Sequence, residues 1–191
     1  MKLKLLSFLF LIAALVIYPI NAYSATFQIR VLTSAALPDT SGNTWFAPAT
    51  ISQPTNDRFP QLVTHFRDSG TKTGVGTNFT IPQNYASGGT FVIVWASTAT
   101  SGAVVWDVDY KAIAASGESL DPATDDETLT ATTTTNGTTQ LSNSSSVVCS
   151  TCGFAAGDVV QVTISRDGAN GSDTMGADAV AYAIIFQYTG T

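Results

Sequence analysis

The fold of this chain is decided by residues 81–115, which read IPQNYASGGTFVIVWASTATSGAVVWDVDYKAIAA. Apolar and charged side chains alternate along residues 104–111, VVWDVDYK, and this period of two predicts a β-strand with one buried and one wet face. Residues 91–95, FVIVW, are apolar on both faces, which predicts a central strand covered from two sides. Residues 100–102, TSG, predict a tight turn between the two strands. We therefore expect a β-hairpin that anchors the hydrophobic core.

The remaining strands are predicted to be short and separated by turn residues. Asn136-Gly137 lies between Thr- and Ser-rich segments at residues 127–135 and 138–148, and Asn-Gly is the strongest short signal for a hairpin. Residues 27–32 and 179–188 alternate as a first and a last strand would. No segment of the mature chain shows a helical period. These patterns predict an all-β fold, a two-sheet antiparallel β-sandwich of about 8–10 strands.

The N-terminus is typical of a signal peptide helix. Lys2 and Lys4 precede an apolar run at residues 5–17, and Ala22 and Ser24 supply the small side chains that a signal peptidase needs. We expect cleavage after Ser24, with cleavage after Ala22 as the second choice. An uncleaved anchor is the alternative, but the run is short for a span of about 20 residues. The mature chain is then secreted, periplasmic or at the cell surface, without a membrane segment.

Charge restricts the partners of the mature chain. The whole sequence has 8 basic and 14 acidic side chains, and removal of Lys2 and Lys4 leaves six bases against fourteen acids, a formal charge of −8. Isolated bases on so acidic a chain cannot neutralise a phosphate backbone, which argues against nucleic acid as a partner. We expect other protein subunits or surface glycans as partners, with a homo-oligomer as one form of the first.

The predicted domains are a signal peptide at residues 1–24, an extended Pro-rich arm at residues 25–58, and a β-sandwich at residues 59–191. Prolines recur through the arm and exclude a helix or a central strand there. Trp45 and Phe46 lie in this arm and are the candidate ligand-binding residues. The other two tryptophans fall inside strand patterns and are predicted to be core.

Two cysteines, Cys149 and Cys152, allow three interpretations. A disulfide is favoured because exported thiols are oxidised, although so small a loop contributes little chain entropy. A thioredoxin-like redox pair would need a surrounding βαβ pattern, which is missing. A zinc site would need four ligands, and His65 is the only histidine. We predict a structural disulfide at a strand end.

Asp107 and Asp109 lie two residues apart and therefore share one face of their strand. Paired carboxylates can bind a cation or hydrolyse a glycoside. Alternation already explains the two positions as a solvated face, which Lys111 continues. His65 has no nucleophile elbow beside it, so a hydrolytic triad is not indicated. We predict that the protein has no catalytic residues and is not an enzyme.

The loop that follows Arg166 is the most suggestive polar segment. Asp167, Asn170, Asp173 and Asp178 offer oxygen ligands between glycines, which is the chemistry that Ca²⁺ requires, and they form the candidate metal site. The spacing is not that of an EF-hand. The alternative is a long turn in which Asp and Asn bond the local backbone and Arg166 pairs with Asp173. Calcium is the only cofactor that the sequence suggests.

Three segments together carry a resemblance to a known group of proteins. They are Ile81-Pro-Gln-Asn-Tyr with a following Gly-Gly, Ser101-Gly102 with Val-Val-Trp106, and the run from Gly157-Asp158 through Arg166-Asp167 to Ala177-Asp178. Their order resembles the jelly-roll β-sandwich domains of small uncharacterised proteins encoded beside tailed-phage structural genes. The resemblance implies a jelly-roll fold and a role as a virion, tail or fibre component. The signal peptide and the cysteine pair lie outside that pattern and indicate the cell surface or periplasm.

Three functions follow as hypotheses. The first is a non-enzymatic exported β-sandwich that acts by surface contact, as a structural or assembly subunit or as an adhesion module. The second is a Ca²⁺-assisted carbohydrate-binding module that uses Trp45, Phe46 and the loop after Arg166. The third, a glycosidase based on Asp107 and Asp109, is the least favoured because a solvated strand face already explains both residues.

Overall fold

The computed structural model describes residues 25–31, 49–52, 61–114, 116–120, 126–138 and 142–191. Within these residues the chain forms ten β-strands. In chain order they are β1 (Ala25–Val31), β2 (Ala49–Ser52), β3 (Gln61–Phe66), β4 (Lys72–Thr80), β5 (Tyr85–Ala96), β6 (Ala103–Ile113), β7 (Glu127–Thr134), β8 (Asn143–Cys149), β9 (Val159–Asp167) and β10 (Ala179–Gly190). A helix long and apolar enough to cross a membrane is not found among the described residues.

The strands form two antiparallel sheets that face each other. Sheet A has the order β2-β3-β10-β5-β8, and β1 pairs with β10 beyond the end of β3. Sheet B has the order β4-β9-β6-β7. The predicted all-β, two-sheet antiparallel sandwich is therefore confirmed. The signal peptide and the domain division stay predictions, since residues 1–24 and most of the arm lie outside the described residues.

Strands β3 to β10 pair as a nested set, which is the jelly-roll arrangement. β6 pairs with β7, β5 with β8, β4 with β9 and β3 with β10. The chain thus behaves as one long antiparallel ribbon that is folded at the β6–β7 connection and wrapped around the core. Further pairing of β5 with β10 and of β6 with β9 joins neighbouring turns of the ribbon into the two sheets.

Aromatic side chains from the two inner faces meet in the core, as the period of two requires. Trp95 on β5 and Trp106 on β6 are both fully buried, and their ring centroids lie 6.0 Å apart across the sheets. Phe66 on β3 meets the Trp106 ring edge to face at 5.0 Å. The indole nitrogen of Trp95 donates to Ser145 Oγ at 2.8 Å on the neighbouring β8. The prediction that both tryptophans are core residues is confirmed.

The predicted hairpin between β5 and β6 is wrong, because the two strands belong to different sheets. Residues 97–102 carry the chain from sheet A to sheet B instead of forming a tight turn within one sheet. The physical reason lies in the inner faces. Both strands carry a large aromatic side chain on their apolar face, and Trp95 and Trp106 pack against each other from opposite sheets. Placing one strand in each sheet buries each face against the other.

The predicted hairpin at Asn136-Gly137 is also wrong in its pairing. β7 ends sheet B, whereas β8 ends sheet A. Gly137 does adopt the positive φ that Asn-Gly predicts, at +81°. Asn136 donates its backbone N–H to Asn143 Oδ1 at 2.7 Å and accepts from the Thr138 N–H at 2.9 Å. The dipeptide therefore specifies a sharp corner, and the corner joins two sheets rather than two paired strands.

Candidate functional site

The predicted ligand-binding residues Trp45 and Phe46 lie outside the described residues, so their role stays a prediction. The other predicted site residues fall in three places. The loop after β9 lies at one end of the sandwich, Asp107 and Asp109 lie on the outer face of sheet B, and the cysteine pair lies at the other end.

Arg166 lies near the end of β9, and the loop that joins β9 and β10 packs around its side chain. It stands in register with Trp106 on β6 and Thr73 on β4, so its side chain points to the core side of sheet B. The side chain is fully buried, and a buried cation is stable only with a counter-charge and a complete set of hydrogen-bond acceptors. Asp173, whose side chain is 1% exposed, accepts a bidentate pair, with Nε to Oδ2 at 2.9 Å and Nη2 to Oδ1 at 2.7 Å. The ion pair between Arg166 and Asp173 that the sequence suggested is therefore present.

The remaining donors of the Arg166 guanidinium hold the loop in place. Nη1 donates to the Ala177 carbonyl at 2.7 Å, and Nη2 donates to the Met175 carbonyl at 2.6 Å. Nη2 also reaches Asp68 Oδ1 at 3.2 Å, in the connection between β3 and β4. Asp173 Oδ2 accepts from the Val105 backbone N–H at 3.0 Å. One buried guanidinium therefore ties three segments together at this end.

The predicted calcium ligands do not converge in this arrangement. Asp167 accepts from the Ala169 N–H at 3.2 Å and Asn170 from the Ser172 N–H at 3.0 Å, which are Asx turns. Both Asp173 oxygens face Arg166, and Asp178 Oδ1 accepts from the Asp68 N–H at 3.0 Å. Among the described residues there is no group of three or more His, Cys, Asp or Glu side chains that could hold a metal ion. Calcium binding here stays a prediction.

Asp107 and Asp109 share the outer face of sheet B, as their spacing predicts, but that face is not uniformly wet. The Asp107 side chain is 5% exposed because Lys72 reaches over β9 from β4 and places Nζ 2.7 Å from Oδ2. Thr130 donates to the other Asp107 oxygen at 2.7 Å, and Thr128 donates to Asp109. The solvated-face prediction is thus wrong for Asp107, since a lysine distant in sequence covers it.

The contact with Asp107 also affects the pKa of Lys72. Partial burial alone would lower the pKa of its ammonium group. The hydrogen bond and charge of Asp107, together with the charges of Asp109 and Asp167, outweigh that effect and raise the pKa above its ordinary value. The lysine is therefore held in its charged form, and it neutralises the carboxylate that a glycosidase mechanism would need free.

An acidic cleft of about 520 Å³ opens at the end of the sandwich opposite Arg166. Its lining includes Tyr110, Glu118, Asp126, Glu127 and Asp158. The Tyr110 hydroxyl donates to Glu127 Oε2 at 3.3 Å, and burial followed by the Glu127 charge raises the Tyr110 pKa to about 12. Burial would raise the pKa of Asp126, but hydrogen bonds from Lys111 and the Ala112 N–H lower it. The sequence did not indicate this cleft, because its carboxylates come from separate strands and loops.

The disulfide lies beside this cleft. Cys149 ends β8 and is bonded to Cys152, with the Cα atoms 5.5 Å apart, so the predicted disulfide at a strand end is confirmed. The segment that follows carries Phe154, whose ring packs edge to face against Tyr110 at 5.1 Å and Phe186 at 5.6 Å. The disulfide thus fixes the start of a segment that covers this end of the core.

Sheet A presents a different kind of outer surface. On β5, Val92 stands between Ile185 of β10 and Ser146 of β8, and the next outward rows have the same uncharged character. Val148, at the edge of this face, has 61% of its surface accessible, whereas Val92 at the centre is only 9% exposed. We call this surface the sheet A face, formed by the outward residues Thr26, Gln28 and Arg30 of β1, Ala183, Ile185 and Gln187 of β10, Thr90, Val92 and Val94 of β5, and Ser144, Ser146 and Val148 of β8.

Comparison with known proteins shows a distant structural likeness. No protein-family model matches the sequence, and no curated protein matches it either. Among solved structures, the chain is similar to the enzymatically active domain of tailspike protein 4 of bacteriophage CBA120, at 8% identity and a TM-score of 0.38. The match covers 86% of this chain and 19% of that chain, so the present chain spans about a fifth of the tailspike domain. At this TM-score the likeness carries no argument about function.

Proposed function

We propose that the mature chain is a non-enzymatic exported β-sandwich that acts by surface contact, as a structural or assembly subunit or as an adhesion module. The resemblance of the sequence to phage structural proteins belongs to the same proposal. The bonded cysteine pair supports an oxidising location outside the cytoplasm, at the cell surface or in the periplasm.

The observation that carries the proposal is the occupation of the candidate chemical groups by structural partners. Asp107 is paired with Lys72 and Thr130, and Asp109 accepts from Thr128. A retaining or inverting glycosidase needs one carboxyl free to act as an acid and another free to act as a nucleophile or base. Here a lysine at 2.7 Å holds Asp107 in a structural ion pair.

The loop after β9 supports the same interpretation. Arg166 takes both oxygens of Asp173, and the Asx turns take one oxygen each from Asp167 and Asn170. A calcium-assisted carbohydrate-binding module would need those oxygens directed to one point. These contacts of the loop support a structural role for it at this end of the sandwich.

The test combines an activity screen with a contact assay on the oxidised mature chain, residues 25–191. We expect no turnover of glycosides or esters by the wild type or by Asp107→Asn. We expect the labelled chain to be retained by the cells that export it. Hydrolysis that is lost in Asp107→Asn would overturn the proposal. Binding on a glycan array that EDTA abolishes would instead establish the calcium-assisted carbohydrate-binding module.

A further inference from the structure

We propose that Asn170 is a site of spontaneous deamidation, a covalent modification that needs only water and that changes the loop after β9 as the molecule ages. Asparagine is a chemically labile residue, and a following glycine favours the reaction because it leaves its backbone nitrogen unshielded. Asn136-Gly137 and Asn170-Gly171 are the two such pairs in the chain. The fold places them in different surroundings, and the inference does not depend on the proposed function.

The reaction joins a side chain to the backbone of the next residue. The backbone nitrogen of Gly171 bonds to Cγ of Asn170, the bond from Cγ to Nδ2 breaks, and ammonia leaves with the proton of the attacking nitrogen. Water then opens the resulting succinimide at one of its two carbonyls. One opening gives aspartate, and the other gives isoaspartate, whose main chain is longer by one carbon. Hydrogen bonds that hold the attacking or the departing nitrogen therefore oppose the reaction.

At Asn136 both of these nitrogens are held. The Gly137 N–H donates to Thr135 Oγ1 at 3.1 Å, and Asn136 Nδ2 donates to the Ser142 carbonyl at 3.0 Å. Thr135 is only 8% exposed, so its hydroxyl is fixed within the corner between the two sheets. Both hydrogen bonds must break before the ring can close, and each adds to the barrier. The corner is therefore protected from deamidation.

At Asn170 the same two nitrogens are not engaged. Within the part of the chain that the structure describes, no residue accepts a hydrogen bond from the Gly171 N–H or from Asn170 Nδ2. The Ser172 N–H donates to Asn170 Oδ1 at 3.0 Å and so stabilises the negative charge that develops on this oxygen during the attack. Asn136 Oδ1 accepts in the same way from the Thr138 N–H, so the two sites differ in their nitrogens.

The modification affects the buried ion pair. Asn170 accepts from the Asp173 N–H at 2.9 Å and donates its own N–H to the Asp167 carbonyl at 3.1 Å. Aspartate at position 170 can keep both hydrogen bonds. Isoaspartate lengthens the main chain between them by one carbon, which displaces Asp173, the counter-ion of the buried Arg166. We therefore expect the isoaspartate form to unfold at a lower urea concentration than the unmodified chain.

The experiment follows both asparagines in one molecule. The oxidised mature chain, residues 25–191, is kept at 37 °C in mildly alkaline buffer, and its proteolytic peptides are weighed at intervals. Deamidation adds one mass unit to a peptide, and isoaspartate elutes separately from aspartate. We expect Asn170 to convert at least about tenfold faster than Asn136, because two more hydrogen bonds must break at Asn136. In urea, where the fold is lost, the two rates should be similar.

Two variants change the sites in opposite directions. Gly171→Ala shields the attacking nitrogen, so conversion of Asn170 should slow. Position 171 accepts alanine, because its φ is not positive and no atom beyond its chain neighbours lies within 4 Å of the position of a Cβ. Thr135→Val removes the hydroxyl that holds the Gly137 N–H, so conversion of Asn136 should accelerate. Circular dichroism and thermal unfolding establish that each variant is folded.

Equal rates at Asn136 and Asn170 in the folded wild type would overturn the inference. Conversion of Asn170 that Gly171→Ala leaves unchanged would also overturn it. An Asn170 that converts in urea but stays intact in the folded chain would show that the loop protects it, and that result too rejects the inference. None of these outcomes bears on the proposed function, which is decided by the hydrolysis and cell-retention assays.

Discussion

Arg166 shows how a single side chain can organise one end of this sandwich. It is a fully buried cation in a β-sheet core, a position that is tolerated only because Asp173 and two backbone carbonyls satisfy it. Arg166 and Asp173 are seven residues apart, so the pair forms between the end of β9 and the loop that follows it. Its further contact with Asp68 joins segments 98 residues apart. A local ion pair thereby fixes a long-range arrangement.

Replacement of Arg166 tests this role. Arg166→Met leaves the Asp173 carboxylate buried without its partner, and we expect the free energy of unfolding to fall by about 3–5 kcal/mol. Arg67→Met is the matched control, because Arg67 is exposed in the neighbouring connection, and its effect should stay within about 0.5 kcal/mol. Urea unfolding of both variants measures the difference. A loss below about 1 kcal/mol for Arg166→Met would show that the ion pair is dispensable.

The raised pKa of Tyr110 predicts that the folded chain loses stability at alkaline pH. Its pKa is about 12 in the folded chain, against an ordinary value of 10.0. Between these values the unfolded chain loses the phenolic proton and the folded chain keeps it, so rising pH favours unfolding. The stabilisation is complete below pH 10 and is lost as the pH approaches 12. The raised pKa values of Tyr85 and Lys72 act in the same direction.

Tyr110→Phe separates the contribution of this residue from those of its neighbours. Urea unfolding at pH 9 and pH 11 should show a smaller decrease in stability for the variant than for the wild type. The difference between the two decreases belongs to the Tyr110 hydroxyl, since Tyr85 and Lys72 remain in both chains. Equal decreases would contradict the assignment of the raised pKa to Tyr110.

At the scale of the element, β4 contains two glycines with different reasons to be glycine. A Cβ at Gly74 would lie 2.8 Å from both the Ile164 carbonyl oxygen and Ser165 Cβ on β9. A Cβ at Gly76 would meet only Thr163 Oγ1, at 3.9 Å. Close strand packing therefore requires Gly74, whereas the packing around Gly76 would accept a side chain.

Alanine at the two positions should have opposite effects. We expect Gly74→Ala to destabilise the chain by about 1–3 kcal/mol through overpacking. We expect Gly76→Ala to stabilise it by about 0.4–1 kcal/mol, because alanine reduces the entropy of the unfolded chain. Each variant serves as the control for the other, since both change one glycine in the same strand. Similar midpoints of chemical unfolding for the two variants would refute this account.

Most of the strands were readable from the sequence, but their partners were not. The period of two located β6 and its inner face correctly, and FVIVW located the centre of β5. The turn signals at residues 100–102 and at Asn136-Gly137 predicted hairpins that do not form. A turn signal reports the local backbone conformation, and the pairing of the flanking strands depends on where their apolar faces are buried.

At the scale of the whole molecule, the nested ribbon explains why the surfaces differ. Wrapping the ribbon places β5 and β10 at the middle of sheet A, and it places β6 and β9 at the middle of sheet B. Sheet B gathers Asp107, Asp109 and Lys72 on its outer face, where they pair with one another and with threonines. Sheet A gathers valine, isoleucine and serine. The difference between the two outer surfaces thus results from the topology and from no single segment.

The sequence alone determined the all-β class, the inner faces of the strands, the Cys149–Cys152 disulfide and the Arg166–Asp173 pair. These features depend on a local period or on residues that are 3 and 7 positions apart, so the chain itself brings them together. Only the tertiary structure decided which strands pair, why Asp107 is buried, and where the chain presents an uncharged face. Those features join residues far apart in sequence, and they follow from burying all the apolar faces at once.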